Sequence, residues 1–315
     1  LKWSEEIAAC FNLPIEKFSK VVKIGSMVGK IRASLAKETG LSEDTYIIMG
    51  CHDQVAASLG SGAVSEGDIM AGEGSTESIN LVIGKNSISE KFMDYQLCYE
   101  PYIEPGLYMT SVAQLTHATC IRWFVHNFGA DFGEVEDIPG ESIYERADRG
   151  CAKDSGNVFF LPYLSGVNCM DASDVALGGF LGVDIATDKA VMYRALLEGL
   201  SFESRRCMDI LKSAGLTVKN ITASGGCSKS ELFMQIKSDV LMRPIKILSN
   251  PEAGAMGLAI ICAKADKLFD TYEDAVKNYV KLSRTYTPDK DYTGKYKQYI
   301  MVSDAVKNLY KDLYS

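Results

Sequence analysis

The sequence predicts an α/β protein built on one mixed β-sheet. Its elements run β-β-β-α-β-α-β-α, with an insertion and C-terminal helices. Three observations carry this. Three β-like segments lie between residues 69 and 112, punctuated by Gly, Pro, Asn and Asp. The longest helical pattern, 188–214, follows an insertion and stops at Gly215. Strand and helix patterns then alternate from Asn220 to residue 265, which implies parallel strands joined by crossover helices.

Element by element, residues 4–11 and 30–39 read as short helices, and Tyr46–Gly50 as a strand. The β-like segments are Ile69–Ile83, broken near Gly72–Ser75, then Tyr95–Ile103 and Leu107–Val112. Glu104-Pro105-Gly106 is a tight-turn signal between the last two. Apolar residues at 115, 118, 121, 124, 125 and 128 give helical spacing, ending near Gly129. A polar stretch follows with one helix at 142–150, then a buried strand or extended run at Val158–Leu164 and a loop at 165–178. After the long helix come strand Asn220–Ser224, helix 230–242, strand Pro244–Leu248 and helix 253–265. Helices at 271–281 and 294–313 finish the chain.

Composition narrows the function classes. The 315 residues are 47% hydrophobic and 23% charged, ordinary for a globular protein with a sizeable core. A net charge of -8 argues against a nucleic-acid partner held by phosphate contacts. No apolar run approaches the roughly 20 residues that span a bilayer. Nine cysteines lack C-x-x-C spacing, so neither a zinc site nor a disulfide framework is indicated; reduced, mostly buried thiols in a cytoplasmic protein are expected.

Four stretches can carry chemistry. Gly50-Cys51-His52-Asp53-Gln54 follows an apolar run and precedes small residues, so Asp53 can act as a general base; the same pattern also reads as a loop or a helix N-cap. Gly72-Glu73-Gly74-Ser75-Thr76-Glu77 lies at a strand turn whose bare N–H groups and hydroxyls suit phosphate oxygens, or is a plain hairpin turn. Ser224-Gly225-Gly226-Cys227-Ser228-Lys229-Ser230 joins a strand to a helix, where two glycines let a flat ring or a phosphate approach the backbone. Its plainer reading is a βα turn with Ser230 as N-cap. Glu252-Ala253-Gly254-Ala255-Met256-Gly257-Leu258-Ala259 suits close helix packing. The three histidines have no metal-ligand spacing, and no G-x-S-x-G nucleophile motif is present.

Taken in order, these stretches resemble the FGGY family of carbohydrate kinases. Leu161-Pro162-Tyr163-Leu164-Ser165-Gly166, Gly178-Gly179-Phe180-Leu181-Gly182-Val183 and Arg194-Ala195-Leu196-Leu197-Glu198-Gly199 extend the resemblance from about residue 3 to residue 265. Xylulose kinases look most similar. The resemblance implies one ribonuclease H-like (actin-like ATPase) lobe and transfer of the ATP γ-phosphoryl group, with Mg²⁺, to a hydroxyl of a sugar or polyol. It implies Asp53 as catalytic base, with His52 and Gln54 beside it at the substrate. It places Gly74, Ser75 and Thr76 at the phosphates and Gly225 and Gly226 at the adenosine. Ser228 and Lys229 are implied neighbours, and Ala118 and Arg122 are implied to line the nucleotide cleft.

The departures shape what is expected of the whole protein. The family's N-terminal Asp-x-Gly-Thr loop is not in this sequence. Residues 1–60 therefore look like the tail end of an N-terminal sugar-binding lobe, and 61–315 like the C-terminal nucleotide-binding lobe. A fragment, or half of a split enzyme, is expected, with little activity of its own. Where many sugar kinases continue Ser-Gly with Glu-Arg-x-Pro, this chain reads Val167-Asn168-Cys169-Met170. The alternatives are a non-enzymatic actin-like nucleotide-binding module and a self-associating domain whose exposed lobe-facing surface makes a homodimer.

Overall fold

A seven-stranded mixed sheet forms the centre of the computed structural model, which describes residues 1–129, 138–166 and 176–314. In chain order the elements begin α1 (Glu5–Cys10), β1 (Met27–Lys30), α2 (Ala33–Thr39), β2 (Tyr46–Ile48), α3 (Asp53–Gly60), β3 (Asp68–Glu73), β4 (Glu77–Gly84), α4 (Lys91–Asp94), β5 (Tyr99–Pro101), β6 (Leu107–Gln114), α5 (Ala118–Phe128) and α6 (Ile143–Arg149). They continue β7 (Phe159–Leu161), β8 (Gly179–Leu181), α7 (Lys189–Ser213), β9 (Asn220–Ser224), α8 (Glu231–Leu241), β10 (Ile245–Leu248), α9 (Ala253–Ala265), α10 (Tyr272–Tyr279), β11 (Leu282–Tyr286) and α11 (Thr293–Tyr314). The large sheet has the order β11-β10-β9-β3-β4-β6-β5. β3, β9 and β10 are parallel; β3-β4, β4-β6, β5-β6 and β10-β11 are antiparallel.

Strand alternation sorts the core into two layers. On β4, Ile79, Leu81 and Ile83 point to one face and pack with α5, α7 and α8 through Phe124, Leu197, Leu200 and Phe233. Val82 points to the other, with Val55 and Leu59 of α3, Ile260 and Ile261 of α9 and Tyr272 of α10. The α3–α9 contact is backbone-close. A Cβ on Gly257 would lie 1.8 Å from the Ala56 carbonyl oxygen, and one on Gly60 1.9 Å from that of Ala253. Small residues at this crossing are therefore a packing requirement.

The structure corrects several sequence expectations. Tyr95–Ile103 is not one strand: only Tyr99–Pro101 pairs, after the short α4 and an Asn-like left-handed turn residue, Gln96 (φ 48°). The expected helix from 115 starts at Ala118, because β6 runs on to Gln114, paired with Glu77. Val158–Leu164 narrows to β7, which pairs with β8 in a separate two-stranded sheet. β11 is a strand the sequence pattern did not suggest, since four of its five residues are exposed at the sheet edge. Part of the expected 165–178 loop, including the 167–170 departure, lies outside the described residues. The thiols are not mostly buried: of eight described, only Cys120 and Cys207 are. Among the described residues no helix is long and apolar enough to cross a membrane.

Candidate active site

Two turns meet at the carboxyl ends of the parallel strands, where open α/β sheets bind ligands. β3 and β4 pair as far as Glu73 opposite Glu77, and Gly74, Ser75 and Thr76 close the connection. β9 lies beside β3 with Ser224 opposite Gly72, which sets the Gly225–Gly226 turn against the first. Gly225 has φ 116°, and a Cβ there would sit 2.7 Å from the Glu73 carbonyl oxygen. Glycine is required for both reasons. α5 begins against the same turn: the His117 N–H donates to the Ser75 carbonyl at 3.0 Å and the Ala118 N–H to that of Gly74 at 3.3 Å. Those bonds occupy the turn's carbonyls. The Ser75 and Thr76 side chains are exposed, and their backbone N–H groups have no hydrogen-bond partner among the described residues. Such donors suit anionic oxygens.

A buried charge cluster supports this turn from the α7/α8 face. Lys237 of α8 donates to Glu73 Oε1 and to Glu77 Oε1, both at 2.5 Å. His117 Nε2 lies 2.8 Å from Glu73 Oε2. Gln114 Nε2 and the Ser204 hydroxyl donate to Glu77 Oε2 at 2.5 and 2.7 Å. Glu73, Glu77 and His117 are 0% exposed and Lys237 1%. Burial works to raise the Glu73 pKa, but the Lys237 ammonium and the His117 ring outweigh it and hold the carboxyl at about 2. Burial likewise opposes the Lys237 charge; the two carboxylates outweigh it and lift its pKa above the ordinary lysine value. Buried charges persist only when paired and hydrogen-bonded in this way.

Asp53 opens α3, on the other face of the sheet. His52 is the preceding residue, with its Nε2 3.0 Å from Asp53 Oδ1 and its Nδ1 2.9 Å from Glu100 Oε1 on β5. Hydrogen bonding to Glu100 raises the His52 pKa, burial opposes it, and the charges of Glu100 and Asp53 add to the rise. Gln54 accepts from Asn80 Nδ2 of β4 at 3.1 Å, and Asn80 in turn accepts from the Ser78 and Ser111 hydroxyls. Burial, with a smaller push from Glu100, lifts the Cys51 thiol to about 11, so it is no nucleophile at neutral pH.

The other expected site residues divide. Gly74, Ser75, Thr76, Gly225 and the start of α5 at Ala118 come together. Arg122, one turn further along α5, and Lys229 are exposed, and among the described residues their side chains form no hydrogen bond or ion pair with the turns. Ser228 is buried and donates to the Gly225 carbonyl at 2.7 Å, closing the turn from within. Ser230 caps α8, accepting from the Phe233 N–H at 3.0 Å. Among the described residues no hydrogen bond or ion pair joins Asp53 to the 74–76 turn, and no group of three or more His, Cys, Asp or Glu is placed to hold a metal. The sequence reading missed Glu73, Glu77, His117, Lys237 and Glu100. A signal for Lys237 was present: it lies four residues from both Phe233 and Leu241, on the apolar stripe of α8.

The sheet order and the helices on its two faces give a ribonuclease H-like, actin-like fold. Residues 76–265 match the C-terminal domain of the FGGY family of carbohydrate kinases, and residues 1–60 match its N-terminal domain. The chain belongs to that family. A xylulose kinase of Staphylococcus epidermidis is 26% identical over 314 residues, covering 99% of this chain and 61% of that protein. The crystal structure of ligand-bound xylulose kinase from Lactobacillus acidophilus superposes with a TM-score of 0.80 at 19% identity, over 99% of this chain and 60% of that one. Plasmodium falciparum glycerol kinase with ADP gives 0.81 at 20% identity, over 98% and 60%. The chain thus spans about three fifths of the length of the relatives it matches.

Proposed function

We propose that this chain carries the nucleotide-binding lobe and the catalytic base of an ATP-dependent carbohydrate kinase, acting on a sugar or polyol, with a xylulose-like substrate favoured. The observation that carries this is the meeting of the exposed Ser75–Thr76 donors with the Gly225 backbone, in a member of the FGGY family. Gly74, Ser75 and Thr76 hold the phosphates, and Gly225 and Gly226 admit the adenosine. Mg²⁺ enters with ATP as part of the substrate.

In the reaction the acceptor hydroxyl oxygen bonds to the γ-phosphorus while the bond from that phosphorus to the β–γ bridging oxygen breaks, releasing ADP. Asp53 accepts the hydroxyl proton and aims the oxygen in line. Phosphoryl transfer asks more for orientation than for a strong base, so an exposed carboxylate fixed by neighbours suffices. His52, anchored to Glu100, and Gln54, anchored to Asn80, fix the chain on both sides of Asp53.

Residues 1–60 supply part of the sugar-binding lobe and 61–315 the nucleotide lobe. The rest of the sugar lobe, which the relatives' extra length contains, docks on residues 1–50. Closure of two lobes is what excludes water and aligns donor with acceptor. A cytoplasmic location follows from the kinase reading. The test is coupled ADP release from these 315 residues with xylulose, ribulose, gluconate and glycerol. Negligible turnover is expected; rates of about 1–100 s⁻¹ would refute the need for more of the sugar lobe.

A further inference from the structure

The charge cluster under the 74–76 turn has an arrangement that pairing alone does not require. Glu73 and Glu77 are cross-strand partners at the turn's two ends, and like charges facing one another across an antiparallel pair repel. They also stand where a polyphosphate would arrive, and would repel it too. Lys237 answers both problems, since its ammonium touches a carboxylate oxygen of each at 2.5 Å. It comes from α8, the helix that follows the Gly225–Gly226 turn. The remaining groups at the carboxylates are His117 from the start of α5, Gln114 from β6 and Ser204 from α7. The two carboxylates and the Lys237 ammonium together carry one net negative charge; without the lysine the carboxylates would carry two.

We propose that Lys237 is a positioning residue that makes the 74–76 turn hospitable to a polyphosphate, by cancelling carboxylate charge beneath it and holding the two strand ends together. This rests on the assignment of that turn to the phosphates of ATP. It goes beyond that assignment because Lys237 is buried and touches no substrate. A charge in a low-dielectric interior acts on nearby anions more strongly than one in water, so a fully buried lysine is felt at the turn's surface.

The test compares Mg·ATP with uncharged adenosine, by calorimetry on the 315-residue chain. Adenosine reports the Gly225–Gly226 turn; the ratio of ATP to adenosine affinity reports the phosphate turn. Lys237→Met should lower that ratio by at least about tenfold with adenosine affinity kept. Adding Glu73→Gln to that variant restores the cluster's net charge and should recover much of the ratio. Glu73→Gln alone preserves hydrogen-bonding capacity and should raise the ratio, which keeps the test open if Lys237→Met fails to fold. A purely structural lysine would shift both affinities together and leave the ratio unmoved. Wild-type binding of ATP, with an unchanged ratio in Glu73→Gln and no recovery of the ratio when Glu73→Gln is added to Lys237→Met, overturns the proposal alone. Wild-type protein that binds ATP no better than adenosine removes the phosphate assignment and the proposal together.

Discussion

Residues 1–50 and residues 53–314 follow the same local rules but reach opposite outcomes in burial. The first region forms two helices and a two-stranded sheet, yet only Ala8 and Ala36 are buried. Trp3, Ile7, Phe11, Leu13 and both residues Tyr46 and Ile47 of β2 stand exposed. Its internal ties include a tilted Trp3–Phe18 ring pair at 4.8 Å, a Trp3 hydrogen bond to the Ser19 carbonyl and a Lys30–Asp44 ion pair at 2.6 Å; toward the other region, Ile24 and Ile48 lean on the second core layer. The second region closes two core layers around one sheet. Secondary structure can thus be specified without a core of its own. Clustered exposed apolar side chains favour contact with another surface, and here they fall in the part that matches the family's N-terminal domain.

The sharpest contrast comes from one substitution made in both regions. Phe160 is 0% exposed and packs on Phe180 and Trp123. Phe160→Ala should cost about 3–5 kcal/mol in denaturant unfolding. Gly257→Ala should cost about 1–3 kcal/mol or more, because two helix backbones must separate to admit a methyl group. Acid should act next, through Glu73. Its folded pKa is depressed from 4.5 to about 2, so its contribution is present above 4.5 and is lost as pH falls toward about 2. Lys237 is raised from 10.5, so its contribution is present below 10.5 and is lost only in stronger alkali. Unfolding measured across pH should therefore show a flat contribution from this pair through neutrality and a loss on the acid side. Phe11→Ala, at a residue 71% exposed, should change stability by no more than about 0.5 kcal/mol. A large loss there would mean that residues 1–50 do share the core.

Much of this was legible in the chain. The 220–265 alternation returned as β9, α8, β10 and α9, with Asn220–Ser224 and 253–265 matching to the residue, because buried parallel strands read as short apolar runs and the helices between them as longer apolar stretches, set apart by Gly, Ser, Asn and Pro. Edge elements did not: β11 has only one buried residue, and β5 is three residues long, so neither carries a period. At the site, glycine and hydroxyl clusters announced the two turns. The partners of those turns stayed hidden, because Glu73 meets Lys237 across 164 residues and His52 meets Glu100 across 48. Side-chain pairing at such separations is set by the fold, and no local pattern encodes it.

Asp53 is proposed above as the base of a sugar kinase that needs more of its N-terminal lobe. The most direct measurement is sugar-dependent ADP release from the two-lobed enzyme containing this chain, with Asp53 and with Asp53→Asn. The expected result is a fall in kcat of about 10²–10⁴-fold, with nucleotide affinity retained. Equal kcat in the two proteins would contradict the account and take Asp53 out of the mechanism.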